Sequence, residues 1–430
     1  MPGVGMATSV MGLEPYRLLK AYAVFVTICI VICQANASPF IPSADEDVIL
    51  EGPNNMWVKT YNYSSGSDTM DICRTDAGYL IGGSTWDPDG ILLHVDTDGM
   101  VLFQRQLGGD SYDSVESVVQ CANGDFAMVG RTGSYSNDSS GRGNLWLARL
   151  ASNGSVLWDN WYLGLYWGRS MVEYQDGSFI IAAAAPHLIR IHSNGSLMWS
   201  KSYGDWDTSH AGSVVECSNG GFAFTGYIGT EATGYHAWLV RTDSNGAMLW
   251  NQTYGDAFLN IGHSLIQCSD GGYAIAGESG AWYYFPRSPW LVRTDENGTR
   301  LWSRTYSTGY AQSVVECSDG GFGIAGIAAD SEVYSTWDAL FVRTDEEGRE
   351  LWRSTCSESY EDRALSLILI DDDGFAVAGW AQQGESRVAF LWRLSDEYVS
   401  PLATAIPILA LSSGIIIAAV IIWKLKRASR

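Results

Sequence analysis

Short runs of apolar and β-branched residues, bounded by Asp, Asn, Ser and Gly, recur from residue 56 to residue 397. Such runs predict strands joined by tight hairpins. The stretch from Ser313 shows the unit most clearly. Ser313 to Cys317 predicts an inner strand a, followed by a tight turn at Ser318-Asp319-Gly320-Gly321. Phe322 to Gly326 and Ala339 to Arg343 predict strands b and c, a second turn runs from Thr344 to Gly348, and Glu350 to Cys356 predicts strand d. Strand d opens on an aromatic, which returns as Trp57, Phe103, Trp158, Trp199, Trp250, Trp302 and Trp352, at spacings of 46, 55, 41, 51, 52 and 50 residues. Four short strands repeated near that period predict the blades of a β-propeller.

The two ends of the pattern are offset. Trp57 opens a strand d with no a, b or c before it. The last repeat offers Ser366 to Ile370, Gly374 to Gly379 and Arg387 to Arg393 as a, b and c, with no Trp-bearing d. Residues near 56–62 are therefore expected to supply the outer strand of the last blade. This predicts an all-β fold, a seven-bladed β-propeller of four-stranded antiparallel blades, closed so that no edge stays open.

A residue present in every blade has a structural task. Arg149, Arg190, Arg241, Arg293, Arg343 and Arg393 share one place in strand c, with His94 in blade one, and are expected to pair with turn acids such as Asp176, Asp270 and Asp319. Cys73, Cys121, Cys217, Cys268 and Cys317 read as one position at the end of strand a, filled by Tyr174 and Ile370 in the other two blades. Sheets packed about 10 Å apart hold such cysteines too far apart to bond, so they predict core packing, as does Cys356.

Function is expected where the blades differ. The a–b and c–d turns are short and uniform, whereas the b–c loops vary: polar from Gly133 to Asn144, nearly absent from Ala182 to His187, and aromatic at Trp282-Tyr283-Tyr284-Phe285-Pro286-Arg287. The candidate ligand-binding residues are Trp282, Tyr283, Tyr284 and Arg287 of blade five, with Trp86, Trp206 and Trp337; Tyr135, Tyr334 and Trp380 lie in similar loops. Each can instead pack on its own blade. Aromatics beside acids and amides suit sugar or peptide recognition.

The chain ends carry a different pattern. Arg17 and Lys20 precede an apolar run and Ala35-Asn36-Ala37, which reads as a signal peptide over 1–37, with an uncleaved anchor as the alternative. An acidic linker, 38–55, leads into the propeller ectodomain, 56–397. Residues 402–423 carry no charge and are followed by the basic tail 424–430, which predicts one C-terminal transmembrane helix with a cytoplasmic tail. Ser395 to Pro401 joins it to strand c of the last blade. Seven residues reach at most about 25 Å, so the uniform face is expected toward the membrane and the b–c loops outward.

The formal net charge is −22, with four of the cations in the tail, which argues against a nucleic-acid partner. Asn62, Asn137 and Asn251 are the glycosylation candidates; Asn153, Asn194 and Asn297 also head sequons but sit in Asn-Gly turns. Asp87-Pro88-Asp89-Gly90, Asp96-Thr97-Asp98-Gly99 and Asp371-Asp372-Asp373-Gly374 resemble fragments of calcium loops, none of which continues to the closing glutamate. No cofactor is otherwise indicated. The chain has no Walker loop, HExxH, G-x-S-x-G or C-x-x-C, and its six histidines have no ligand spacing.

The units Asp270 to Gly277, Leu291 to Gly298 and L-W-x-x-T-Y resemble the repeat family of secreted and cell-surface propellers of archaea and bacteria. The D-x-x-G-x-x-x-W unit is similar to the tryptophan-docking repeat of quinoproteins. Those have eight blades and a vicinal disulfide beside pyrroloquinoline quinone; this chain has no adjacent cysteines. Two functions fit these features. One is a cell-membrane-anchored extracellular module for binding, adhesion or surface scaffolding, with a protein or glycan ligand. The other is an extracellular enzyme with its site at the channel mouth, acting on polysaccharide or using a quinone.

Overall fold

The computed structural model describes residues 57–62, 66–85, 89–135, 143–205, 207–281, 287–329, 336–356, 361–370 and 374–396. The signal segment, the linker, the apolar run 402–423 and the basic tail lie outside these residues. So do Trp86, Asn137, Trp206, Trp282, Tyr283, Tyr284 and Tyr334.

The described residues form 28 strands in six sheets, five of four strands and one of eight. The eight-stranded sheet is two antiparallel meanders, 209–254 and 259–305, joined by the parallel pair Tyr235 and Leu259. The inner strands are Ser67–Thr75, Asp113–Gln120, Gly168–Glu173, Ser209–Glu216, Leu259–Gln267, Gly309–Glu316 and Asp362–Ile370. Each packs against the next, and Asp362–Ile370 packs against Ser67–Thr75, so they close around one axis. The order of the last sheet places Trp57–Tyr61 outermost, beside Ser386–Ser395, with Trp57 opposite Arg393. The offset of the two chain ends is thus resolved as the pattern implied.

Strands b and c are buried almost throughout, as in Gly78–Thr85 and Asn144–Leu150, because neighbouring sheets cover both faces. Outer strands such as Val101–Leu107 are largely exposed. Strand a of the sixth repeat starts at Gly309, four residues before the predicted start at Ser313. A bulge between Ala311 and Ser313 interrupts the alternation there and hides the first half of the strand.

The recurring aromatic, the strand-end Tyr and the turn Gly form one device. The aromatics of six outer strands pack beneath the c–d turn of the next repeat: a side chain at Gly298 would meet Trp250 at 2.7 Å, and one at Gly348 would meet Trp302 at 2.6 Å. These glycines are left-handed, with φ of 78° and 73°. The Tyr at the end of the same strand donates its hydroxyl to that Gly carbonyl. The pairs are Tyr61 to Gly99 at 3.0 Å, Tyr162 to Gly195 at 2.6 Å, Tyr203 to Gly246 at 2.6 Å, Tyr254 to Gly298 at 2.7 Å and Tyr306 to Gly348 at 3.0 Å. The first repeat has Leu107 in the Tyr position, and Arg105 Nε donates to Gly154 O at 3.0 Å instead. Cys356 replaces the Tyr facing the last repeat, where strand d comes from the N-terminus and no c–d turn exists to be gripped.

The strand-c arginines bind the turn acids: Arg149 to Asp125 at 3.3 Å, Arg190 to Asp176 at 2.8 Å, Arg293 to Asp270 at 2.6 Å and Arg343 to Asp319 at 2.8 Å. Arg241 uses Asn219 Oδ1. The reading of Cys73 requires correction. Register places Thr75, not Cys73, level with Cys121 and Cys217, because Asp71 and Ser117 are the equivalent post-bulge residues. Thr75 Oγ1 lies 2.9 Å from His94 Nε2, so both members of the Cys–Arg pair are exchanged together in that repeat. None of the described cysteines forms a disulfide. Burial pushes the Cys121 and Cys268 thiols up to about 12, which suits inert packing.

Candidate ligand-binding site

Each inner strand carries a one-residue bulge at the same height. The residue skipped by the ladder is Met70, Glu116, Arg169, Gly212, His263, Gln312 or Leu365. A bulge turns its extra residue away from the pairing direction, here toward the axis. These residues and those after them, Asp71 and Ser117, Ser170, Ser213, Ser264, Ser313 and Ser366, line one cavity of about 250 Å³. His210, Tyr227 and Ile261 extend it toward the strand ends that carry the d–a and b–c loops.

The serines wire neighbouring repeats together. Ser170 Oγ accepts from Val214 N–H at 3.1 Å, Ser213 from Leu265 at 3.2 Å, Ser264 from Val314 at 3.3 Å and Ser313 from Leu367 at 3.1 Å. Asp71 takes this place in the first repeat and accepts from Val118 N–H at 3.0 Å. Burial raises its carboxyl above the usual range, against the hydrogen bonds it accepts.

Toward the variable face, polar and aromatic groups converge around Tyr310. From the fifth repeat, Arg287 Nη1 donates to Glu278 Oε2 at 3.0 Å, and His263 Nε2 lies 3.6 Å from Glu278 Oε1. Burial alone would raise the Glu278 carboxyl, but His263 and Arg287 outweigh it and hold it below its ordinary value. Trp337 meets Tyr310 edge-on at 5.9 Å. From the last repeat, Arg363 binds Glu361, and Arg387 binds Asp68 at 2.9 Å while lying 3.9 Å over the Trp380 ring. The charges of Arg363, Glu278, Glu361 and Arg287 all reach Tyr310, whose hydroxyl is pushed up chiefly by burial.

Among the residues expected from sequence, Arg287 and Trp337 therefore meet in one cluster. Trp380 is buried beneath two arginines rather than presented to solvent. Tyr135 stacks on Trp161 at 4.3 Å on the second repeat. Asn62 is exposed after the closing strand, and Asn251 is exposed but accepts from Trp238 Nε1 at 3.1 Å. In the Asp96 turn, Oδ1 accepts from the N–H groups of Asp98 at 2.9 Å and Met100 at 2.8 Å, the ordinary duty of a turn Asp. Sequence reasoning missed the channel lining. Its signal was the one changeable residue beside the near-constant Ser of strand a, as in Glu116-Ser117, Arg169-Ser170 and His263-Ser264.

Solved structures similar to this chain are β-propellers. The WD40 repeats of RRP9 match with a TM-score of 0.53 at 10% identity, covering 81% of this chain and 100% of that one. The WD40 β-propeller domain of Doa1 matches with a TM-score of 0.51 at 12% identity, covering 82% and 96%. BamB from Moraxella catarrhalis gives 0.48 at 13% identity, covering 81% and 100%. No protein-family model and no curated protein sequence matches the chain. Together with the sheet topology, the first two likenesses make the chain a β-propeller repeat protein.

Proposed function

We propose that the chain is an extracellular binding protein: a seven-bladed propeller held at the cell membrane by its C-terminal apolar run, akin to the surface propellers of archaea and bacteria. In this reading the signal segment directs export and the short tether turns the uniform face to the membrane. The d–a and b–c loops then face outward and engage a protein or glycan, and Asn62, Asn137 and Asn251 are the sites open to glycosylation.

The observation that carries this reading is the cluster around Tyr310. Its acids, Glu278, Glu361 and Asp68, are each paired with an arginine. A carboxylate held below its usual pKa is a weak base, so Glu278 suits recognition by ion pairing better than acid–base catalysis. Paired charges beside Trp337 and Tyr310 give a rim that can exchange partners with a ligand. The loop residues Trp282, Tyr283, Tyr284, Trp86 and Trp206 would extend that rim.

The test is a glycan and peptide array probed with the full-length protein in lipid nanodiscs. Signals on particular ligands that fall at least about tenfold in Trp337→Ala and Arg287→Ala support the site. Ligands bound equally by wild type and both variants would place recognition elsewhere.

A further inference from the structure

The waist of the channel is asymmetric in its chemistry. At its bulges the arc of the last and first repeats presents the apolar Leu365 and Met70, beside Ser366 and Asp71. The adjoining arc carries two opposite charges on neighbouring repeats, Glu116 and Arg169. Both remain available. Glu116 accepts from the Ser114 hydroxyl at 2.8 Å, and Arg169 is exposed within the cavity and makes no hydrogen bond or ion pair with another described residue. The two do not pair with each other among the described residues, although their bulges sit at one height. On the repeat after Arg169, Gly212 lines the cavity with backbone alone.

We propose that this cavity binds a small zwitterion with an aliphatic substituent: a free α-amino acid, or a short peptide of such residues. Its ammonium group meets Glu116, its carboxylate meets Arg169, and its side chain lies against Met70 and Leu365. The charges argue for this class. A simple anion placed at Arg169 would face Glu116 and a protein of net charge −22. A simple cation at Glu116 would face Arg169. A molecule carrying both charges satisfies both groups with little net cost. The volume of about 250 Å³ lies at the small end for ligand sites, which suits a molecule the size of an amino acid or a short peptide. The proposal rests on the binding-protein reading above, because the cavity opens toward the variable face.

Calorimetry on the full chain in detergent tests it with L-leucine, dileucine, L-leucinamide and N-acetyl-L-leucine. Leucine or dileucine is expected to bind saturably, and whichever does identifies the source. Leucinamide and N-acetyl-leucine should each bind about tenfold or more weakly. Arg169→Gln should abolish the preference for leucine over leucinamide, and Glu116→Gln the preference over N-acetyl-leucine, with the melting temperature of each variant unchanged. Absence of saturable binding by leucine and dileucine at millimolar concentration, or equal affinity for the blocked analogues, overturns the proposal. Leucine binding retained in Arg287→Ala and Trp337→Ala separates this site from the rim. Failure here beside a positive array leaves the rim reading standing.

Discussion

Ser366 Oγ donates to Asp71 Oδ1 at 2.7 Å, a bond between residues 295 apart in the chain. The other Asp71 oxygen holds the Val118 N–H at 3.0 Å, and Oδ1 also accepts from Ile72 N–H at 2.9 Å. Ser170, Ser213, Ser264 and Ser313, at this place in other repeats, each reach the following repeat. One carboxylate thus holds the repeat before it and the repeat after it. It does so next to the sheet whose strands c and d are joined by hydrogen bonds alone.

Removing that carboxylate should loosen the closure. Asp71→Ala leaves the part-buried donors of Val118, Ser366 and Ile72 without this acceptor, and hydrogen bonds to charged groups contribute about 1.5–3 kcal/mol each. A total loss of about 2–4 kcal/mol is expected after partial relaxation. Asp71→Ser restores the repeat residue and should lose about 1 kcal/mol. Denaturant titrations of the two variants check the order; equal losses would mean that the second oxygen contributes nothing.

Acid should act on Asp71 and Asp319 with opposite signs. Burial raises the folded-state pKa of Asp71 above 3.8, so its contribution is fully present below the unfolded value and is lost as pH rises through the folded one. Asp319 is lowered, its backbone bonds and Arg343 outweighing burial. Its contribution is present above 3.8 and is lost as pH falls through the folded value. The stability deficit of Asp71→Asn against wild type should therefore grow between pH 7 and pH 4. The deficit of Asp319→Asn should shrink below about pH 3.8. Melting temperatures across this range provide the measurement.

The architecture was legible because sheets packed on both faces make strands b and c near-continuous apolar runs, and because Trp57 and the last repeat were each incomplete alone. The Arg–Asp pairs were legible for a similar reason: one residue type returned at one place in strand c. The channel was not legible. A bulge adds one residue without changing the apolar pattern after it, so nothing in the pattern marks Glu116 and Arg169 as facing the axis. The same irregularity misled the alignment of Cys73, since counting back from the turn requires the register of Asp71. Arg287 was legible as a loop residue, but its partner Glu278 sits at the buried end of a strand that reads as core.

The aromatic clamp predicts a graded series in the fourth and fifth repeats. Tyr254→Phe removes one buried hydroxyl bond to Gly298 and should lose about 1 kcal/mol. Gly298→Ala must place a side chain against Trp250 in a left-handed backbone. The conformation costs about 1–2 kcal/mol and the overpacking about 1–3 kcal/mol. Thermal unfolding should therefore rank Gly298→Ala well below Tyr254→Phe. The reverse order would show that the ring, not the turn, is the rigid partner.

Arg343 is a strand-c arginine paired with carboxylates on two sides. Its Nη2 binds Asp319 at 2.8 Å, while Nε and Nη2 reach both oxygens of Asp396 at 2.8 and 3.0 Å. Asp396 follows the last strand directly, where the chain leaves toward the apolar run at 402. The guanidinium fork therefore pins the exit of the chain to the sixth repeat. Lysine keeps the charge but cannot present two parallel donors. Arg343→Lys should retain the Asp319 contact and release Asp396. Breaking one side of a buried pair typically costs about 3–5 kcal/mol, and because lysine keeps one partner the loss should fall below that range. Hydrogen exchange separates the two effects: in Arg343→Lys, protection should drop along Ser386–Ser395 and its partner Trp57–Tyr61, with Gly374–Gln383 less affected. A uniform drop across all three strands would mean that Arg343 stabilises the whole sheet rather than its exit.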